Sequence, residues 1–288
     1  MSQEIVKAQH YVPVFYLNNF VDSSGKLHVY DRATGKMFTC MPKNICYSKL
    51  LYETPWEHTK ADLGKYVLCN KIEKSFSEYE GQYATLVKRI LQICVLSQSP
   101  HALICSHENK IGLISMVVNL FIRNPWVMEY FQLNEIPEEL NSHPTCAVIK
   151  DLMEALNWGG ADSLLKYSMK YAYLLEHDEG GLAHDMMEEI EKLNFTFYYS
   201  KEGKFITSSC PSCVGNFSDE RAFAHLPLSP FVVVRFGNDI VPRRSNNRMK
   251  TLDTSETMAI NSIYQSFDTK QARYIISNSD TTLKKYLF

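Results

Sequence analysis

The apolar positions of this chain change period twice. Over the first fifty residues they fall in short clusters. VPVFYLNNF (12–20) is aromatic-rich and reads as a strand, and KLHVYDRATGKMFTC (26–40) reads as two β-prone runs joined by a turn at Ala33-Thr-Gly. From about Asp62 the period becomes helical. Val67, Ile72, Phe76, Tyr83, Val87, Ile90 and Cys94 lie on one stripe, predicting a long amphipathic helix that stops before Pro100. A second helix, from Glu108 to Phe131, is apolar on nearly every face and so is predicted to be central. Pro125, in Arg123-Asn-Pro, should kink or interrupt it. Further helices are predicted over 147–157, 161–176 and 183–193, punctuated by Gly159-Gly160 and Gly180-Gly181.

The β-type pattern then returns. NFTFYYS (194–200) and KFITS (204–208) read as a hairpin turning at Lys201-Glu-Gly, and PFVVVRF (230–236) reads as a buried strand. A helix over 255–267, the strand RYIIS (273–277) and a short last helix close the chain. This order predicts an α+β fold in a single domain, 1–288: a strand and hairpin segment (1–55), a helical segment (60–193), then strands with C-terminal helices (194–288). The N- and C-terminal strands are expected to meet in one mixed or antiparallel sheet against the helical layer. That would bring the N-terminal segment close to FITSSCPSC (205–213).

Composition adds limits. With 45% hydrophobic and 22% charged residues, the 288-residue chain is an ordinary globular one. Its formal charge of −2 argues against a surface that coats nucleic acid generally, while leaving room for a local basic groove. The start has no apolar signal region, and the run Ile111–Ile122 is too short to span a bilayer, so the expected setting is cytoplasmic, with no membrane partner. The eight cysteines are accordingly read as reduced, mostly buried thiols.

Candidate chemistry is scattered. Cys210-Pro-Ser-Cys213 follows a strand, as a redox pair should, yet its sequel VGNFSDERAFAHLPLSP (214–230) reads as turn-like, with no immediate helix. As half of a zinc site it needs a second pair, for which only Cys40 and Cys46 are offered. The plain reading is a strand-end turn holding two small thiols. Glu73 and Glu80 share one face of the first long helix, either as a solvated stripe or as carboxylates lining a cleft. Arg123, at the end of an apolar helix, must be paired or face an anion. His10 reads as a core or capping histidine. The acidic histidine segments His177-Asp-Glu and His184-Asp, and the basic run Arg243–Lys250, are expected to be solvated loops, with metal and phosphate contact as their sharper readings. No phosphate loop, nucleophile elbow or H-E-x-x-H motif is present, and no cofactor-binding motif is found.

HYVPVFYLNNF (10–20), Arg123-Asn-Pro, FITSSCPS (205–212) and LPLSP (226–230) together resemble the bacterial family known as domain of unknown function 4238. The resemblance runs over essentially the whole chain, with the opening motif its most specific part. Carried over, the family's histidine falls on His10, its helix glutamate on Glu80, its arginine on Arg123 and its late asparagine on Asn261. Where the family has aspartate and asparagine before proline, this chain has Ser209 and Cys210, so CPSC looks like a divergent version of that loop.

The resemblance implies hydrolysis of a phosphate-containing substrate, with nucleic acid as the expected partner, in the manner of a nuclease that serves as a toxin or antiviral defence effector. His10 would be general acid or base, Arg123 the anion clamp, and Glu80 a base or a ligand to a divalent metal. Cys210 standing in as nucleophile is a separate, thiol-dependent reading. The alternative from another class is a non-catalytic binding or regulatory protein in which His10 and Arg123 form a buried structural network. Burial separates these readings: a catalytic His10 must reach a cleft that exposes Arg123, and a structural one is sealed and hydrogen-bonded.

Overall fold

A computed structural model describes residues 4–96, 104, 106–175, 181–215, 222–237 and 249–287. In chain order the N-terminal segment contains β1 (Ala8–His10), α1 (Val14–Leu17), β2 (Leu27–Asp31), β3 (Lys36–Cys40) and β4 (Tyr47–Lys49). The helical segment follows as α2 (Lys71–Leu96), α3 (His107–Ile122), α4 (Pro125–Tyr130), α5 (Glu138–Asn141), α6 (Pro144–Ala155), α7 (Ala161–Leu175) and α8 (Leu182–Glu191). The last segment holds β5 (Phe195–Ser200), β6 (Thr207–Ser208), β7 (Cys213–Gly215), β8 (Phe223–Ser229), β9 (Val232–Gly237), β10 (Met249–Leu252), α9 (Thr254–Asn261), β11 (Tyr274–Ser277) and α10 (Asp280–Leu287). The fold is α+β.

A five-stranded sheet, in the order β10-β5-β9-β8-β7, packs its apolar side chains against α2, α3 and α8. A four-stranded sheet, in the order β3-β2-β11-β6, joins the two ends of the chain. In it β11 lies antiparallel to both β2 and β6, pairing Ile276 with Val29 and with Thr207. The expected meeting of N- and C-terminal strands is therefore present. β1 and β4 form a small ladder of their own. One hydrophobic cluster runs from Val12 to Ile276, and a second, around Tyr264, Ile275 and Leu283, is built between β11 and α10.

Three expectations are corrected. VPVFYL is not a strand: Pro13 supplies the extended residue before α1, and Val12, Tyr16 and Phe20 repeat at helical spacing, all fully buried. Nor do NFTFYYS and KFITS form a hairpin. Both edges of β5 are occupied, by β9 and β10, so the chain beyond Gly203 crosses over and enters the other sheet as β6. The segment AFAHLPLS also proves to be a buried strand, β8, whose Pro227 is accommodated by a register shift against β9.

Two features of the helical layer position the site. Gly112 lets α3 approach α2, since a Cβ there would lie 2.7 Å from Leu86 Cδ2. The expected interruption at Pro125 falls between Arg123, which ends α3, and Asn124, whose side chain caps α4 by accepting from the Trp126 amide at 2.9 Å. Asn124 also reaches outward, donating from Nδ2 to the Ser209 carbonyl at 3.1 Å and the Gln271 carbonyl at 3.3 Å.

Candidate functional site

The inward stripe of α2 reads Glu73, Phe76, Glu80, Tyr83, Val87, so two carboxylates sit among apolar groups that face α3. Because α3 stops at Ile122, the Arg123 side chain turns into that stripe. It is 1% exposed, making it the largest fully buried side chain among the described residues. A guanidinium taken from water needs its donors satisfied. Here Nη1 donates to Glu80 Oε1 at 2.8 Å, Nε to the Tyr52 hydroxyl at 3.2 Å, and Nη2 to the His10 carbonyl. The guanidinium carbon also lies 4.1 Å from the centroid of the Phe76 ring.

His10 thus joins the site through its main chain. Its ring stands apart, with Nε2 3.3 Å from the Lys43 carbonyl and the imidazole tilted against Tyr47. Burial pushes the imidazole below its ordinary value, while the Lys43 carbonyl and Glu80 work against that shift.

Behind Arg123 lies a second polar layer. Gln9 donates from Nε2 to Glu53 Oε1 and accepts from the Tyr52 amide, both at 2.8 Å. Glu53 also receives the Asn70 amide, and Asn70 clasps the chain near Glu4 and Val6. Lys170 of α7 is 2% exposed, and burial lowers its ammonium to about 8 against the attraction of Glu53. Glu73 is the odd member. Its Oε2 is buried without a hydrogen-bond partner, and burial pushes its carboxyl up to about 7 despite the opposing pull of Arg123.

The loop after β6 is tied to this assembly by Asn124, yet its thiols are sealed. Cys210 and Cys213 are fully buried, and burial drives the Cys210 thiol up to about 12, with the Gln271 amide opposing. That is the reverse of the depressed value a nucleophilic cysteine needs. Ser208 Oγ organises the turn, donating to the Cys210 carbonyl at 2.7 Å and accepting its amide at 3.0 Å. Ser209 Oγ accepts the Tyr274 amide at 3.1 Å. Asn261 is spent on backbone, accepting from the Ile206 amide and donating to the Lys204 carbonyl.

Of the residues singled out from sequence, the structure brings His10, Glu80 and Arg123 into direct contact and links Ser209 to them through Asn124. Cys210 and Asn261 make their hydrogen bonds elsewhere. The comparison with family profiles bears on this arrangement, because one profile matches residues 8–281, from β1 through the start of α10. The chain belongs to the family of proteins of unknown function DUF4238. No curated protein and no solved structure matches this DUF4238 chain.

Sequence reasoning passed over Tyr52, Gln9, Glu53, Asn70 and Asn124, and it set Glu80 above Glu73. The α2 stripe did carry a signal for Glu73, since it occupies the same face as Phe76 and Tyr83. Gln9 and Glu53 carry none, for one sits in the three-residue strand β1 and the other in an irregular segment, where a polar residue looks like any surface position. Among the described residues, no three His, Cys, Asp or Glu side chains gather at metal-binding spacing, which covers both the carboxylate reading and the four-cysteine one. His184 lies on α8 and meets Glu188 at 3.4 Å, while residues 177–179 and Arg243, Arg244 and Arg248 fall outside the described residues. No described helix is long and apolar enough to cross a membrane.

Proposed function

We propose that this protein is a non-catalytic binding or regulatory protein in which His10 and Arg123 belong to the internal framework. One observation carries this reading: the Arg123 guanidinium is 1% exposed and donates to Glu80, to Tyr52 and to the His10 carbonyl. An anion clamp must offer its N–H groups to the incoming phosphate. Withdrawing this one from its partners would break a buried ion pair, at about 3–5 kcal/mol. His10 contributes a carbonyl, which any residue type supplies. The setting we propose is the cytosol: Cys40, Cys46, Cys69, Cys146, Cys210 and Cys213 are free thiols, in keeping with a reducing compartment.

A second reading, hydrolysis of a phosphate-containing substrate such as nucleic acid in a defence role, draws on Glu73. A carboxyl near 7 with an unpartnered oxygen, beside a paired carboxylate and an arginine, has the protonation behaviour of a general acid or base.

The two readings part in one assay. Purified protein is incubated with labelled single-stranded RNA, transfer RNA and duplex DNA, with Mg²⁺, Mn²⁺ or EDTA, beside Glu73→Gln and His10→Ala. The proposal expects no cleavage of any substrate. Cleavage by the unaltered protein that disappears in Glu73→Gln, with thermal stability retained, overturns it in favour of hydrolysis.

A further inference from the structure

A cleft of ≈ 710 Å³ opens between α2 and α3, with Met187 of α8 at one side. That volume suits a small organic molecule. Its wall on α2 is aromatic: the Tyr79 and Tyr83 rings lie 17° from parallel, with centroids 6.3 Å apart. Gly81, between them in sequence but turned to the other side of the helix, lines the opposite edge of the cleft. A glycine inside a helix costs about 1 kcal/mol relative to alanine. Packing within the chain does not call for it here, because no atom lies within 4 Å of where its Cβ would be. The bare backbone widens the cleft at the edge away from the aromatic rings.

The polar lining has a sign. Among the described residues, Glu78, Glu108 and Arg89 are its charged members. Arg89 stands 3.6 Å from Glu108 and donates to the Asn109 side chain, so Glu78 carries the charge in excess. Deeper in, the Tyr83 and Ser115 hydroxyls bond each other at 2.9 Å and leave a largely apolar floor with Ile111 and Leu86. Aromatic faces, a thioether and one surplus carboxylate favour a flat cation over a flat anion.

We infer that this cleft is a binding site for a flat aromatic or heteroaromatic molecule bearing one positive charge, its ring on the wall of Tyr79 and Tyr83, its edge reaching the open side at Gly81 and its cation toward Glu78. This deepens the binding reading above and rests on it.

Three indoles of nearly one shape test the inference by titration calorimetry up to millimolar concentration: tryptamine, a cation; indole, neutral; and indole-3-acetate, an anion. The expected order is tryptamine first, with indole-3-acetate at least tenfold weaker. Gly81→Leu places a side chain in the cleft while improving helix propensity, so its melting temperature should hold or rise as tryptamine binding falls tenfold or more. Glu78→Gln should bring tryptamine down toward indole. No binding of tryptamine, no preference for the cation, or unchanged binding by a folded Gly81→Leu variant overturns the inference. The nucleic-acid cleavage assay is read separately. Absent tryptamine binding without cleavage sinks the ligand class and leaves the binding reading standing, whereas cleavage lost in Glu73→Gln sinks the binding reading itself.

Discussion

Tyr16 and Thr207, 191 positions apart, share a 2.7 Å hydrogen bond between buried hydroxyls, and the Tyr16 hydroxyl also reaches the Pro227 carbonyl at 2.7 Å. A single phenol on α1 thereby holds β6 of one sheet and β8 of the other. Leaving the Pro227 carbonyl and Thr207 hydroxyl unpaired in a sealed interior costs about 1–3 kcal/mol. Tyr16→Phe is expected to lower the unfolding free energy by that amount, seen as a lower urea midpoint with little change in slope. An unchanged midpoint would show that the two sheets do not depend on this hydroxyl.

The Arg123–Glu80 pair predicts an asymmetry. Arg123 is 1% exposed and Glu80 26%, so water can reach the carboxylate when its partner is gone but not the guanidinium. Removing the arginine also strips the Tyr52 hydroxyl and His10 carbonyl of a donor. Arg123→Ala should destabilise by about 3–5 kcal/mol. Glu80→Gln keeps an acceptor in place but leaves the sealed guanidinium without its counter-charge, so it should cost at least as much. A loss for Glu80→Gln less than half that of Arg123→Ala in chemical denaturation would mean that the guanidinium does not depend on its counter-charge.

Glu73 predicts a pH dependence. Its carboxyl is raised in the folded state, to about 7 against an ordinary 4.5, chiefly by burial. The folded protein therefore binds the proton more tightly than the unfolded chain. The resulting stability is fully present below the unfolded value and is lost as pH rises through the folded one, between roughly pH 4.5 and 7. Glu73→Gln should flatten that decline and exceed the unaltered protein at pH 8, by something on the order of 2 kcal/mol. Parallel curves for the two proteins would mean that Glu73 is solvated.

Thiol reactivity should follow burial. Cys40 and Cys69 are partly exposed, while Cys210 and Cys213 are sealed. In the native protein, iodoacetamide is expected to label Cys40 and Cys69 first, with Cys210 and Cys213 reacting only at the rate of global unfolding. Peptide mapping of a timed reaction reads this directly. Early labelling of Cys210 would restore the thiol-dependent reading.

How much of this was legible beforehand depends on the range of the interaction concerned. The α2 stripe and the β2–β3 hairpin could be read because side chains three, four or two positions apart share a face whatever the rest of the chain does. Arg123 could be singled out because an arginine closing an apolar helix has to find a partner. The same local reading failed at Val14–Leu17, where aromatic composition outweighed the helical spacing of Val12, Tyr16 and Phe20. It failed again at β8, where Pro227 looks like a strand breaker until β9 shifts register to receive it.

Partnership was beyond local reading. Glu73 and Glu80 occupy equivalent places on one helix face, and nothing within α2 says which carboxylate meets Arg123 and which is left without a hydrogen bond. That choice follows from where α3 ends against α2. The same holds for Cys210, whose neighbours in sequence suggest chemistry and whose neighbours in space remove it. Periodicity and helix ends are properties of adjacent turns, so they are present in any short stretch of residues. The contacts between groups 43 or 191 positions apart, and the water those groups give up in making them, exist only once the chain has closed.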